Sequence, residues 1–343
     1  MMKISVKNLP ELYAKIAEEN SLYIPINNKG NVNFAKWEQG ALVDLDRLKT
    51  VKSAKDVFFP QSQDLVNFEV NGKEIKVGEQ VLPTDKQVIF GVRGCDAKSF
   101  EILDMAFLED FGDKFYEARR ANTTIITLAC GRPDEACFCK VYGIDAADPK
   151  GDVTTWIVDG YLYWMPNNDK GYDLTAKVKD LFALGNDDDK VEAYKTEIRN
   201  IIDKLPYSNL NLKGFDAEHL MEKFDSKKWN ELSEACLGCG TCTFICPTCQ
   251  CYDIKDFRTN KGVERFRCWD SCMFSDFTKC AHGNPRTTQL QRFRQRFMHK
   301  LVYFHSNHGV YSCVGCGRCV QKCPSMLNIV KVIKALGEDN KDE

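Results

Sequence analysis

Apolar positions in the first part of the chain follow two periods. Asn8 followed by Pro10 marks a helix start, and Leu12, Tyr13, Ile16 and Ala17 fall on one face of the helix that follows. Alternating residues on either side of Asn71-Gly72 predict a hairpin, because Asn-Gly takes up the left-handed backbone of a tight turn. Residues 156–164 repeat this pattern around Asp159-Gly160. Gln87-Val-Ile-Phe-Gly-Val92 and Thr123-Thr-Ile-Ile-Thr-Leu128 read as buried strands. Between them, residues 99–110 form a helix with Ile102, Leu103, Ala106 and Phe107 inward. Strand, helix and strand in that order predict a parallel crossover. Residues 187–205 place Val191, Tyr194, Ile198, Ile201 and Leu205 on one helical stripe. Pro206 and the polar residues after it mark a boundary, and a helix over 218–231 leads into a different kind of sequence.

That sequence is dominated by cysteine. Cys236-Leu-Gly-Cys239-Gly-Thr-Cys242-Thr-Phe-Ile-Cys246-Pro247 and Cys313-Val-Gly-Cys316-Gly-Arg-Cys319-Val-Gln-Lys-Cys323-Pro324 both read C-x2-C-x2-C-x3-C-P. This is the bacterial ferredoxin spacing, in which the fourth cysteine of each run ligates the other cluster. One [4Fe–4S] cluster is therefore assigned to Cys236, Cys239, Cys242 and Cys323, and a second to Cys313, Cys316, Cys319 and Cys246. Zinc knuckles would account for the C-x2-C pairs but not for two complete four-cysteine runs. The expected fold is α+β: an N-terminal α/β domain, 1–210, with a partly parallel sheet and hairpins, then a ferredoxin-like dicluster domain, 211–343, with a long insertion at 249–310.

Two further cysteine sets stand outside these runs. Cys95 and Cys130 each lie just past a predicted strand, at the carboxyl edge where open α/β sheets bind ligands, and Cys137-Phe-Cys139 follows in the adjoining loop. These four read either as a third [4Fe–4S] site or as small buried hydrophobes. Cys249, Cys251, Cys268 and Cys272 make a fourth set. If 268–272 is helical, its two thiols share one face, and a fourth cluster or a zinc ion competes with a purely shielding role. Cys280 is a spare. The insertion also carries a helix over 289–301 with Phe293, Phe297 and Leu301 on one stripe. Arg292, Arg294, Arg296, His299 and Lys300 cover the remainder, as a solvated basic face or a docking surface for an acidic partner.

Composition narrows the class. A net charge of −2 gives no general attraction to nucleic acid or membranes. No apolar run approaches a membrane span, and the N-terminus lacks the apolar core of a signal peptide. The 17 cysteines are then metal ligands in a reducing compartment, the cytoplasm, rather than disulfide partners. There is no dinucleotide-binding glycine turn, no Walker A loop and no zinc-protease histidine pair.

Several strings carry a wider resemblance: Phe90-Gly-Val-Arg-Gly-Cys-Asp-Ala, Leu128-Ala-Cys-Gly-Arg-Pro-Asp-Glu-Ala-Cys-Phe-Cys, Cys246-Pro-Thr-Cys-Gln-Cys-Tyr-Asp-Ile, Trp269-Asp-Ser-Cys-Met-Phe and His299-Lys. Over 85–330 the chain resembles the dicluster electron-transfer subunits of sulfhydrogenases, anaerobic sulfite reductase and flavin oxidoreductases linked to heterodisulfide reductase. Gly94 and the segment 277–286 depart from the family pattern. The resemblance implies an iron–sulfur electron-transfer subunit that relays single electrons. The donor would be a flavin-bearing subunit that oxidises NAD(P)H, and the acceptor a catalytic subunit of hydrogenase, sulfite reductase or heterodisulfide reductase type. Two other classes compete. One is a self-contained reductase with an active-site cluster at the Cys95/Cys130 edge; the other is a redox sensor.

Overall fold

The computed structural model describes residues 1–185, 187–260 and 262–337, so the end of the predicted C-terminal domain, at 343, lies outside the described residues. Twelve strands occur among these residues. They are β1 (Met2–Ser5), β2 (Ser21–Asn28), β3 (Asn31–Lys36), β4 (Ser62–Asn71), β5 (Glu74–Val77), β6 (Gln87–Val92), β7 (Thr123–Leu128), β8 (Val153–Val158), β9 (Tyr161–Pro166), β10 (Ala183–Leu184), β11 (Tyr252–Thr259) and β12 (Gly262–Trp269). Eight form a sheet in the order β10-β1-β9-β8-β7-β6-β2-β3. Its centre, β2–β6–β7–β8, is parallel and its flanks are antiparallel. The parallel centre explains why β6 and β7 are buried along nearly their whole length: helices cover both faces.

On one face the helices Leu9–Ala17 and Asp169–Val178 bury Leu12, Tyr13 and Leu174 against Val88, Phe90 and Ile126. On the other, Phe100, Leu103 and Tyr116 meet Ile89, Val92 and Ile125. The hairpins turn at Asn71-Gly72 and Asp159-Gly160, with Gly72, Asp159 and Gly160 all at positive φ. One boundary differs from the sequence reading. The helix after β6 spans Gly94–Phe107 and so begins well before Ser99. A register shift at Gly91, φ 87°, turns the strand end so that Arg93 runs inward, and its guanidinium donates to the carbonyls of Ala129 (2.5 Å) and Leu45 (2.5 Å). Helix geometry then starts at once, and Cys95 lies in its first turn. The region 218–231 likewise forms two short helices, Leu220–Asp225 and Lys228–Glu234.

The two ends of the chain share structure. Strand β12 pairs antiparallel with β4, so the hairpin β11–β12 completes a four-stranded sheet, β11-β12-β4-β5. The buried guanidinium of Arg267 pins this hairpin, pairing with Asp113, donating to Gln63 and lying over the Phe59 ring. Trp269 stacks on Phe59. Nearer the cysteines, Phe138 is buried in the same apolar cluster as Phe293, Phe297 and Ile329. Arg318, inside the second cysteine run, is 3% exposed. It reaches back to Asp96 (2.5 and 2.7 Å) and to the Thr50 carbonyl (3.0 Å). Removing one member of such a pair strands a buried charge, which costs ~3–5 kcal/mol, whereas replacing both with apolar side chains costs much less. Asp96→Ala is thus expected to lower the denaturation midpoint of the iron-loaded chain, and Asp96→Leu combined with Arg318→Met to recover most of the loss. Equal destabilisation by the single and double variants would contradict this.

Candidate metal centres

Two small cavities sit in the C-terminal part of the molecule. Cys236, Cys239, Cys242 and Cys323 line the first, packed by Met273, Phe293 and Phe297. Cys313, Cys316, Cys319 and Cys246 line the second, with Phe138, Pro247 and Ile329. Each run supplies three thiols from a tight loop and a short helix, Thr241–Phe244 or Arg318–Lys322. The chain then leaves that helix and carries its fourth thiol to the other cavity. Glycine is required where the loops turn. Gly317 has φ 75°, and a Cβ there would lie 2.3 Å from the Ala136 carbonyl oxygen. A Cβ on Gly315 would lie 2.4 Å from the Phe138 carbonyl, and the Phe138 N–H donates to the Gly315 carbonyl (2.9 Å). The loop 136–139 thus presses directly on the second run.

Hydrogen bonds reach the thiols from nearby side chains. Gln289 Nε2 donates to Cys236 Sγ (3.4 Å), Cys239 Sγ contacts Thr241 Oγ1 (3.3 Å), and Cys246 Sγ contacts Thr248 Oγ1 (3.3 Å). Burial pushes Cys313 up to about 11 and Cys319 up to about 12, opposed chiefly by Lys300 and Arg296 respectively. As bare thiols both would be neutral near pH 7, and a metal must displace those protons. The surroundings are built for that negative charge. Lys300 is 3% exposed, and its ammonium donates to Thr248 Oγ1 (2.8 Å) and the Ser312 carbonyl (2.9 Å). Lys55 is 2% exposed and donates to the carbonyls of Cys246 (3.0 Å) and Cys249 (2.9 Å). Arg296 lines both cavities, and among the described residues its Nε and Nη1 are buried without a partner; the Tyr142 hydroxyl is buried against Cys313. Among the described residues no three His, Cys, Asp or Glu side chains converge closely enough to hold a single ion. Four thiols spread around a cavity, with unpartnered buried donors beside them, fit a multi-atom group with sulfur acceptors.

The helix over 289–301 corrects one expectation. It spans Gln289–Met298 and continues through a π-helical turn, His299–Tyr303. Its cations mostly point inward rather than forming a basic outer face. Arg296 and Lys300 are buried, and Arg294 lies over the Phe224 ring at 3.6 Å while donating to the Phe224 carbonyl (3.1 Å). Burial pushes His299 down to about 4. Sequence reasoning missed Lys55 and read Arg296 and Lys300 as outer-face cations, solvated or docking a partner. The latter two carried a signal: Phe293, Arg296, Phe297, Lys300 and Leu301 share one helical stripe, so both cations fall among core positions.

The remaining thiols divide unevenly. Cys95, Cys130, Cys137 and Cys139 are brought together, with Cys139 beside Cys130, Cys137 and Cys316, and Cys95 beside Cys139 and Cys316. Burial pushes Cys137 up to about 11. The Lys49 ammonium bonds Asp134 (2.7 Å), whose carboxylate accepts the Ala136 N–H (2.9 Å) and holds the loop in place. In the other set, Cys251 contacts Cys272 and Cys249 contacts Cys246. Cys268 is not on a helix with Cys272. It sits within β12 opposite Asp253 and Ser62, on the strand face away from Arg267 and Trp269. Cys280 is exposed.

A 4Fe-4S dicluster domain model matches residues 235–327. The chain is 33% identical over 341 residues to the Sulfhydrogenase 2 subunit beta of Pyrococcus furiosus, covering 98% of each protein. No solved structure matches the chain.

The cavity linings generate a direct expectation. Cys246→Ala should remove iron from the centre lined by Cys313, Cys316 and Cys319 and spare its own sequence neighbours, while Cys323→Ala should do the reverse. Iron analysis with paramagnetic resonance on both variants checks this; loss of the Cys236 centre in Cys246→Ala would contradict it.

Proposed function

This chain belongs to the family of dicluster electron-transfer subunits that includes sulfhydrogenase beta subunits, and from that premise we propose that it is the electron relay of a multisubunit oxidoreductase. Single electrons enter from a partner subunit whose flavin is reduced by NAD(P)H, and leave to a terminal catalytic subunit of the hydrogenase, sulfite reductase or heterodisulfide reductase type. The observation that carries this reading is the pair of four-thiol cavities sharing Arg296 as a common wall. We assign one [4Fe–4S] cluster to Cys236, Cys239, Cys242 and Cys323, and one to Cys313, Cys316, Cys319 and Cys246. When bound, such clusters supply one-electron carriers that need little rearrangement to change charge. The residues around them cover most of the thiolates, Cys239 excepted, and hold compensating charge.

We further assign a third [4Fe–4S] site to Cys95, Cys130, Cys137 and Cys139, a station next to Cys316. Its support is that Cys95, Cys130 and Cys139, from three separate segments, share one apolar cluster, with Cys137 two residues before Cys139. We divide the chain at residue 210, with 249–310 as an insertion whose hairpin packs back on the first domain. We place the protein in the cytoplasm, where its thiols stay free. Among the described residues no helix is long and apolar enough to cross a membrane.

A second reading has one observation in its favour. A cavity of about 270 Å³, lined by Arg93, Gly131, Arg132 and Tyr194, opens beside Cys130, whose carbonyl accepts from Tyr194 Oη (3.4 Å). A self-contained reductase could bind a small anion there.

Anaerobic purification of the chain alone separates the readings. The relay should contain about twelve irons, falling to about eight in Cys130→Ser. It should carry no flavin, bleach with dithionite and remain oxidised with NADH. Iron content that Cys130→Ser leaves unchanged removes the third site. Reduction by NADH, or turnover of sulfite or polysulfide by the isolated chain, removes the relay reading.

A further inference from the structure

A charged side chain buried between two cavities demands an account. Arg296 is 2% exposed, near the end of the helix Gln289–Met298. Among the described residues a single contact ties its guanidinium to an oxygen: Nη2 donates to the Cys242 carbonyl at 2.8 Å. The group packs near the Phe297 ring at 4.6 Å. Nε and Nη1 are fully buried, and neither finds a partner among the described residues. No carboxylate among the described residues pairs with it, unlike Arg318 with Asp96 or Arg267 with Asp113. A buried cation with unsatisfied N–H donors is strongly unfavourable in an otherwise complete protein. Its neighbours include Cys242 of the first cavity, Cys319 and Cys246 of the second, and Cys249, which lines neither.

We infer that Arg296 is a shared positioning residue for the two centres, its unpartnered N–H groups donating to sulfur acceptors in both cavities so that one cation sets both reduction potentials together. The inference rests on the relay reading and deepens it. The charge of the guanidinium is permanent, so it favours the reduced, more negative form of either centre, and hydrogen bonds to cluster sulfur act in the same direction. The planar fork of arginine spreads its donors over a wider span than a compact ammonium, so it can reach acceptors in two cavities that lie further apart. Lys300 and Lys55 differ in this respect, since their ammonium groups are already bonded to oxygens near the second cavity only.

Two measurements on the intact chain test the assignment. In redox titrations followed by paramagnetic resonance, Arg296→Met should shift the midpoints of both ferredoxin-type centres to more negative values at unchanged iron content. Arg296→Lys should restore part of the shift at no more than one of them. Iron retained with only one midpoint moved, or with neither moved, overturns the shared role. Should Arg296→Met fail to load iron, the native chain decides. With arginine labelled by ¹⁵N in its guanidino group, pulsed resonance should detect nitrogen coupling at both reduced centres, and the coupling should vanish from both in Arg296→Lys. Coupling at one centre only, or coupling that survives the substitution, overturns the inference. None of these failures touches the relay reading, which falls only if the chain lacks the two centres, is reduced by NADH, or turns over an acceptor by itself.

Discussion

Buried thiolates must be charged to hold metal, and protein interiors disfavour charge. Most of this molecule's unusual features follow from that constraint. Desolvation pushes Cys313 and Cys319 upward, and the chain answers with Lys300, Arg296 and Lys55 in the interior, each nearly free of solvent contact. An ammonium such as Lys300, held by Thr248 and the Ser312 carbonyl, would be an expensive choice in an ordinary core. Beside four thiolates it lowers the energy of the loaded state. The same logic explains why the helix Gln289–Met298 turns its cations inward although its composition suggests an exposed basic surface.

A second constraint is mechanical. Cluster ligands must keep their spacing while the centre changes charge, so the loops that bear them need rigid backing. The N-terminal part supplies it. The loop 136–139 lies so close to Gly315 and Gly317 that no side chain fits between them, and Phe138 enters the apolar cluster of the cysteine domain. Asp96 and Arg318 add a buried ion pair linking the residue after Cys95 to the residue before Cys319. The hairpin β11–β12, built from residues between the two cysteine runs, joins β4 and is held by Arg267. The centres therefore sit at a seam between two parts of the chain.

Local signals were legible in the sequence, and distant pairings were not. Asn71-Gly72 and Asp159-Gly160 specify their turns by themselves, and the apolar runs of β6 and β7 state that both faces are covered. The cysteine spacing carried the ligand chemistry without any fold. The start of the helix at Gly94 was hidden because Arg-Gly-Cys-Asp resembles a turn, and only Arg93 bonding to the carbonyls of Leu45 and Ala129 makes the strand end abruptly. The β12–β4 pairing joins residues far apart in the chain, with Gly262 admitted because a Cβ would meet the Phe68 carbonyl at 1.8 Å; no local pattern encodes that contact. Cys268 was grouped with Cys272 by spacing alone, and the strand that carries it separates the two.

We propose that the two four-thiol cavities hold neighbouring redox centres that share a wall. Magnetic interaction between paramagnetic centres falls steeply with distance, so low-temperature resonance of the fully reduced chain reads their proximity directly. The account predicts a broadened, split spectrum from interacting [4Fe–4S] centres, which simplifies to unsplit signals at partial reduction, when few molecules carry both electrons. Unsplit signals at full reduction, or signal from a single centre, would contradict it.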